Sequence, residues 1–391
     1  MKKTDKMIRF GKHKRAGAVG GRAFRIAFLL LYGISVCGIS VLRGDMPDAD
    51  AADREKNETV MTVRKTDWIA SDGAVSADSA AEETAKTETE TEKVPPTVSE
   101  TEMKGAADEN TPTFSGLSSV VLESADGNVT LAAEEYVIGT LLAEMPSSFR
   151  AEALKAQAVA CRTYAVYKMK ASAKHKSGAD LCTDSGHCQA FVFPDTVSRE
   201  RYEAAYAAVT ATRGEILCYD GSPIAAVYHA SSGAVTCSSA EVWGGERPYL
   251  VSVSSGECEN PNLADDCVRV SEIPKDRFVA SLRAICPSLE MRGDGEILSG
   301  ISLEKTESGR VSGVCICGAQ TDASAFVRAF LLRTRNFTLS VGDSVTITTY
   351  GYGHGVGLSQ LGAEDMAQRG EDYRAILTHY YPNTVFGRIT E

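Results

Sequence analysis

Glu134–Lys170 reads EEYVIGTLLAEMPSSFRAEALKAQAVACRTYAVYKMK. Two helical patterns meet in it at Met145-Pro146, because proline disfavours the α conformation in the residue before it. The first pattern runs from Glu134 to about Ala143. The second begins after Ser147 and Ser148, candidate N-caps, and continues to about Met169. On the second helix Lys155, Ala158, Val159, Arg162 and Val166 share a face by their 3/4/7 spacing. That face is mostly apolar, and a Lys and an Arg on it are costly to bury without a counter-charge. Glu144, at the mouth of the helix pair, is the carboxylate the pattern offers. A single acid in a partly apolar, cationic cleft is what general acid/base chemistry needs.

Outward from this stretch the composition changes sharply. Residues 1–25 are basic, with nine Lys and Arg against Asp5, and Ile26–Leu42 is an uncharged, mainly apolar run. That run is slightly shorter than an average membrane span but within range. The basic flank puts the N-terminus in the cytoplasm and everything after Arg43 outside. A cleaved signal peptide competes with this reading, since Ala49-Asp50-Ala51 resembles a cleavage site, though it lies past the apolar run among acidic residues. Residues 43–115 are rich in Thr, Glu, Ala, Asp and Ser, with the low-complexity TETETEKVPPTVSETE in their midst. They cannot bury enough apolar surface to offset ordering entropy and read as a disordered acidic linker. The net charge of −11 argues against nucleic acid as a partner. Residues 116–391 remain, enough for one sizeable core or two closely joined lobes with a groove between.

That region holds ten of the eleven cysteines, unusual outside the cytoplasm unless some are bridged or bind metal. Cys258 and Cys267 flank a short polar loop, ENPNLADD, and are a candidate disulfide. Cys315 and Cys317 point to one face of a strand by period two and read as core. KHKSGADLCTDSGHCQAF (174–191) offers His175, Cys182, His187 and Cys188, two imidazoles and two thiols that suit tetrahedral zinc. Exposed histidines with two small buried cysteines is the plainer alternative. Four protein ligands would leave no open position for an activated water, so the expected zinc is structural.

AVYHASSGAVTCSSAEVWGG (226–245) reads as a strand from Ile224 to His229, a small-residue turn and a second strand. It has no G-x-S-x-G elbow, which argues against a serine hydrolase. Trp243 is open between a sugar-stacking platform and core. SVTITTYGYGHGVGLSQLGAEDMAQRG reads as an alternating strand, a glycine-dense turn and a helix. No G-x-G-x-x-G register fits Gly351, Gly353, Gly355 and Gly357, so no organic cofactor is expected. Glycines there permit close backbone approach, and free N–H groups at the helix start can bind an anion or an acetamido carbonyl. Tyr352, His354, Ser359 and Gln360 are binding candidates on this segment.

AEMP and EALKAQAVACRTYA, with GADLCTDSGHCQAF, AVYHASSGAVTCSSAEVWGG and GYGHGVGLSQLGAEDMAQRGEDYRAILTHYYPNT (351–384), resemble the stage II sporulation protein D family. The resemblance covers roughly residues 116–391 in one order. It implies an α+β fold: a membrane helix, a disordered acidic linker, then one mixed helix/strand catalytic domain. It implies a membrane-anchored lytic transglycosylase that acts on peptide-free peptidoglycan glycan strands in endospore engulfment. Its partners would be a cell-wall amidase and a multi-span membrane protein. It sets Tyr228, His229 and Ser232 along a glycan groove, and some members bind zinc at the cysteine/histidine segment. Lys155, Gln157 and Arg162 join the expected substrate-binding set.

A hydrolytic glycosidase usually needs two carboxylates flanking the scissile bond. Only Glu144 is placed for that role. Glu134 and Glu135 lie one helix away, and Asp180 and Asp184 belong to the metal segment. A lytic transglycosylase needs one acid, whose conjugate base then deprotonates the muramic C6 hydroxyl for attack on C1. Cations beside Glu144 would lower its pKa, whereas an acid catalyst wants it raised. Desolvation could restore it, or the cations face the lactyl carboxylate of muramic acid instead, which is expected of at least one of Lys155 and Arg162. The alternative is a glycan-binding module like the related amidase enhancer, which stimulates an amidase without cleaving glycan. A zinc-dependent hydrolase is the minor third reading.

Overall fold

The structure, a computed structural model, describes residues 111–115, 118–171 and 174–390. The expected basic segment 1–25, anchor 26–42 and all but the end of the linker 43–115 lie outside the described residues. Among the described residues no helix is long and apolar enough to cross a membrane. The end of the expected linker is a correction: Thr113–Ser115 is a strand (β1), paired in parallel with the last strand of the chain.

The fold is α+β, with two large hydrophobic cores. The first lobe opens with a hairpin, β2 (Ser119–Ser124) and β3 (Gly127–Ala132), then α1 (Ala133–Glu144) and α2 (Ala151–Ala171). It continues through β4 (Leu181–Cys182), α3 (Arg199–Ala211), β5 (Glu215–Tyr219), β6 (Ser222–Pro223), β7 (Tyr228–His229), α4 (Ser239–Trp243) and α5 (Ala264–Cys267). The second lobe is an insertion: β8 (Val268–Ile273), α6 (Lys275–Ile285), α7 (Asp294–Ser299), β9 (Ile301–Lys305), β10 (Val311–Ile316), β11 (Ala319–Asp322), α8 (Ala323–Ala329), β12 (Phe337–Val341) and β13 (Val345–Tyr350). The chain then returns to the first lobe with β14 (Leu358–Ser359), α9 (Gln360–Gln368), α10 (Tyr373–Tyr380) and β15 (Val385–Thr390).

Both predicted helices of the opening stretch form. α1 ends at Glu144 because Met145, ahead of Pro146, is extended (φ −126°, ψ 141°). It is buried all round from Tyr136 to Leu142, as a central helix is. α2 starts at Ala151, later than Ser147 and Ser148, which do not cap it. The free N–H of Arg150 is instead taken by the carboxylate of Glu364 on α9 (2.6 Å), 214 residues away. That bond fastens the returning segment to the helix pair. α2, α3, α9 and α10 close the first core around Val159, Ala160, Leu217, Leu358 and Tyr381.

The second core is separate and rests on Phe278, Phe326, Phe330 and Phe337, between the antiparallel sheets β9-β10-β11 and β8-β13-β12. Of the two architectures left open by length, two lobes is the one that forms. Cys258 and Cys267 are disulfide-bonded, closing the polar loop just before the insertion. Cys315 and Cys317 do not share a strand face. Cys317 falls past β10 in the left-handed region (φ 51°), in the turn to β11.

The predicted hairpin over 224–245 is a further correction. Only Tyr228–His229 is strand, in parallel register with Leu358–Ser359. The following residues make single bridges, Ser231 to Tyr352, Val235 to Ser254 and Cys237 to Val356, before the α4 turn. Their backbone groups are satisfied by the glycine turn 351–357 and by 253–255 instead of by each other.

Candidate active site

Glu144 is the last residue of α1 and is partly exposed. Its Oε1 accepts two hydrogen bonds, from the Ala190 N–H (3.1 Å) and from the Tyr228 hydroxyl (3.2 Å). Both fall on the same oxygen, which leaves Oε2 to carry a proton. Burial pushes the Glu144 carboxyl from 4.5 up to about 7, against the opposing pull of Ala190, Tyr228 and Gln360. No cation is among the causes. Gln360 Nε2 lies close enough to favour the carboxylate, yet it makes no hydrogen bond of ordinary geometry.

Two segments bring these donors to Glu144. The first is the chain after the cysteine/histidine segment. Gln189 is 2 % exposed and bridges two tyrosines: its Nε2 donates to Tyr228 Oη (2.8 Å) and its Oε1 accepts from Tyr136 Oη (3.2 Å). Phe191 and Val192 then lie directly on Gly139 of α1. A Cβ at 139 would meet Phe191 Cε2 at 2.2 Å and the Val192 carbonyl at 2.8 Å, so only glycine lets this chain approach. The approach is what brings the Ala190 N–H to the end of the same helix.

Immediately before Gln189, His175, Cys182, His187 and Cys188 converge, with ligand atoms all within 4.8 Å of one another. Neighbouring pairs are closer: Cys182 Sγ to His187 Nδ1 is 3.5 Å, Cys188 Sγ to His187 Nδ1 is 3.4 Å, and Cys188 Sγ to His175 Nε2 is 3.5 Å. Tetrahedral zinc with sulfur and nitrogen ligands at about 2.0–2.3 Å requires ligand atoms about 3.5 Å apart, so the donor set fits. His175 also turns its Nδ1 toward the Glu123 carboxylate (3.4 Å). That is the outer-shell partner a metal-bound imidazole takes.

The second segment is the junction of β7, β14 and the glycine turn. His229 Nδ1 faces the Val356 carbonyl (3.1 Å), which only accepts, so Nδ1 carries the proton and Nε2 accepts from the Ser232 hydroxyl (2.7 Å). Glu257 Oε1 collects Ser231 Oγ (3.2 Å), the Ser232 N–H (2.8 Å) and Ser359 Oγ (2.8 Å). His354 is half-buried between His229 and Trp243, with ring centroids 5.4 and 5.3 Å away. Its Nδ1 accepts the Val356 N–H (3.1 Å), so the proton of the neutral ring sits on Nε2. Burial, then Arg310, push His354 from 6.5 down to about 4. Burial, then His354 and Arg310, hold His229 well below the usual range. Both rings are neutral near pH 7.

The expected site residues thus separate into groups. Glu144, Tyr228 and His354 are partly exposed and stand together through the contacts above, with Trp243 beside them, whereas the partly exposed Tyr352 turns its ring to Arg333. His229, Ser232, Ser359 and Gln360 are buried beneath, where they hold the exposed groups in place. Gln157 is fully buried, with its amide on Cys161 Sγ (3.2 Å). Arg162 is 1 % exposed and pairs in a fork with Glu134 (Nε to Oε1 3.0 Å, Nη2 to Oε2 2.6 Å), adding bonds to the carbonyls of Glu215 and Val209. With every arm engaged it neither neutralises Glu144 nor faces a substrate. Lys155 pairs with Glu152 (2.6 Å) and lines a groove of about 420 Å³ between α2 and α3 whose walls do not include Glu144. Tyr136, Gln189, Ala190 and Glu257 were missed from sequence. Gln189 had a signal, its place directly after the paired ligands; a backbone N–H has none.

A family profile described as stage II sporulation protein (SpoIID) matches residues 124–219, which include α1, α2 and the cysteine/histidine segment. The stage II sporulation protein D of Bacillus amyloliquefaciens is 33 % identical over 259 residues, covering 63 % of this chain and 72 % of that protein. The protein of the same name from Bacillus subtilis strain 168 is 32 % identical over 262 residues, covering 64 % and 73 %. The amidase enhancer of Bacillus subtilis strain 168 is 28 % identical over 301 residues, covering 63 % of this chain and 39 % of its own length.

Proposed function

The chain belongs to the stage II sporulation protein D family, and from that premise we propose that it acts on the cell wall in sporulation as a lytic transglycosylase of peptide-free glycan strands. One observation carries the reading: Glu144 is a lone carboxyl, lifted to about 7 by burial, with one oxygen anchored and the other free. At neutral pH a large fraction is protonated, as a general acid requires. The proton on Oε2 passes to the glycosidic oxygen as the C1–O bond breaks. The resulting carboxylate then takes the proton of the muramic C6 hydroxyl while O6 bonds to C1. The products are a 1,6-anhydromuramic end and a free 4-hydroxyl, and no water is consumed. No second carboxylate is among the groups that shift Glu144, which favours this route over two-carboxylate hydrolysis. Trp243 and His354 offer ring faces on which sugars stack.

His175, Cys182, His187 and Cys188 would hold a zinc ion with all four positions filled by protein. Bound there, the metal supplies a staple for the loop. Gln189 and Ala190, next in the chain, do the work at Glu144. We further propose an extracytoplasmic domain tethered by residues 26–42, and the cell-wall amidase and multi-span membrane protein of engulfment as partners. The likeness to an amidase enhancer favours one alternative, a module that binds glycan and stimulates an amidase without cleaving. Incubation with denuded glycan separates the two. The enzyme releases 1,6-anhydromuramic ends, and Glu144→Gln lowers the rate by about 10²–10⁴-fold. Strand binding without new ends overturns the enzyme reading.

A further inference from the structure

The hairpin between β9 and β10 leaves the second lobe and docks on the first. The Ser308 N–H at its tip donates to Glu241 Oε1 on α4 (3.0 Å), and the Ser308 hydroxyl lies 3.1 Å from Cys237 Sγ. Two residues on, Arg310 is 4 % exposed and lays its guanidinium across the junction of the lobes. Nη1 donates to Thr334 Oγ1 (2.7 Å) in its own lobe, and Nη2 donates to the Ser232 carbonyl (3.1 Å) in the other, 78 residues away. Nε has no partner, and no described carboxylate forms an ion pair with it. A guanidinium buried without a counter-charge costs several kcal/mol, so this placement calls for a compensating role.

The glycine turn rests on that cation. A Cβ at Gly355 (φ +82°) would lie 2.0 Å from Arg310 Nη2, so the backbone that carries His354 is seated on the guanidinium plane. His354 in turn uses Nδ1 as an acceptor for the Val356 N–H. An imidazolium has donors only and could not accept that bond, so protonation would unseat the turn at 356. Val356 also bridges to Cys237, and its carbonyl fixes the tautomer of His229. The disturbance would therefore reach the β7 segment that presents Tyr228 to Glu144.

We infer that Arg310 is a positioning residue for the glycan site: it seats the glycine turn that carries His354 and makes the inserted lobe a working part of the site. The charged and titratable groups facing this region are His229 and Tyr228 from β7, Arg310 from the hairpin, and Cys237 and Glu241 from the α4 segment. Tyr352, on the same turn, faces Arg333 instead, its ring centroid 5.6 Å from the guanidinium carbon. Burial is the largest cause of the low His354 pKa, and Arg310 adds to it in the same direction.

The activity readout rests on the function proposed above; the ring titration does not. In the full chain, Arg310→Met is expected to raise the apparent pKa of His354, followed by NMR, by about one unit, a tenfold change in protonation. The acid limb of glycan cleavage should move up in pH with it. Arg310→Lys, which restores a cation without the fork, should recover most of the titration and less of the KM. Should Arg310→Met fail to fold, Glu241→Ala, which loosens the hairpin and leaves the arginine, is expected to shift both in the same direction by less. A folded Arg310→Met with a wild-type His354 titration and acid limb overturns the inference, as does an unshifted Glu241→Ala. If Glu144→Gln retains cleavage, the proposed function fails, while the His354 titration still decides the role of Arg310.

Discussion

Glu144 is gripped from two sides, and each side is built around a pair of histidines put to opposite use. In the 175–188 loop His175 Nε2 and His187 Nδ1 point at the thiols of Cys182 and Cys188, while His175 Nδ1 turns to the Glu123 carboxylate. Those donors are free to meet a metal. In the β7–glycine-turn junction every assigned ring nitrogen of His229 and His354 is committed to a backbone group or to Ser232, beside a buried arginine that repels a second cation. That pair cannot ligate. What separates a metal site from a hydrogen-bonded lock is the commitment of the lone pairs, more than the number of histidines in a segment. The two sides converge on one oxygen, through the Ala190 N–H from the first and the Tyr228 hydroxyl from the second.

The first side should be the costlier to break. Chelation, or Cys188→Ser, is expected to release the loop and with it Gln189 and Ala190. A loss of about 3 kcal/mol would lower the melting midpoint by about 6–12 °C, with glycan cleavage falling in step. Melting followed by calorimetry beside an end-group assay checks this. If chelation stops cleavage while the melting curve stays put, the metal takes part in the chemistry and the comparison breaks. The second side can be cut more finely. Tyr228→Phe keeps the ring and removes the hydroxyl that stabilises the ionised carboxylate. A hydrogen bond to a charged group is worth about 1.5 kcal/mol or more, and 1.36 kcal/mol is one pKa unit, so the Glu144 pKa should rise from about 7 toward 8. On the proposed mechanism the acid form is the active one, so the alkaline limb of the pH–rate profile should move up by about one unit. An unmoved limb would mean that Tyr228 does not grip Glu144 during turnover.

Much of both sides was legible because it is written in local patterns. The stop before Met145-Pro146, the strand–turn–helix over 345–368, the four metal-type side chains and the Cys258–Cys267 pair each lie within one short segment. What escaped reading is long-range. Arg162 looked like a free cation on an apolar face because its carboxylate, Glu134, stands on the other helix, and the helix crossing that joins them is not in the periodicity. The strand foreseen over 224–229 shrank to two residues because its partners are backbone groups of 351–359, more than a hundred positions later. Arg310 carries no motif at all. It matters only because an inserted lobe folds its hairpin back under Gly355. Glu144 itself stands out by its place at a helix end, and the cations expected near it or on the substrate's carboxylate are engaged by Glu152 and Glu134, leaving burial as the cause of its raised pKa.

The smallest effect tests that cause directly, through stability. Glu144 titrates at about 7 in the folded chain and near 4.5 when exposed. Below 4.5 the group is protonated in both states and the folded state bears no penalty. Between 4.5 and 7 the unfolded chain releases the proton while the folded chain keeps it, so stability falls as pH rises, levelling off above 7. The full linkage would be about 3.4 kcal/mol, but Glu144 is partly exposed, and about 1–2 kcal/mol is the discounted figure. Glu144→Gln has no such slope. Its melting midpoint should therefore draw ahead of the unsubstituted protein by a few degrees between pH 5 and pH 8. Adding Tyr228→Phe to the unsubstituted protein should widen that gap, because the ionised carboxylate then keeps only the bond from Ala190. A gap that is constant with pH would mean that burial does not hold the proton, and that both grips serve packing alone.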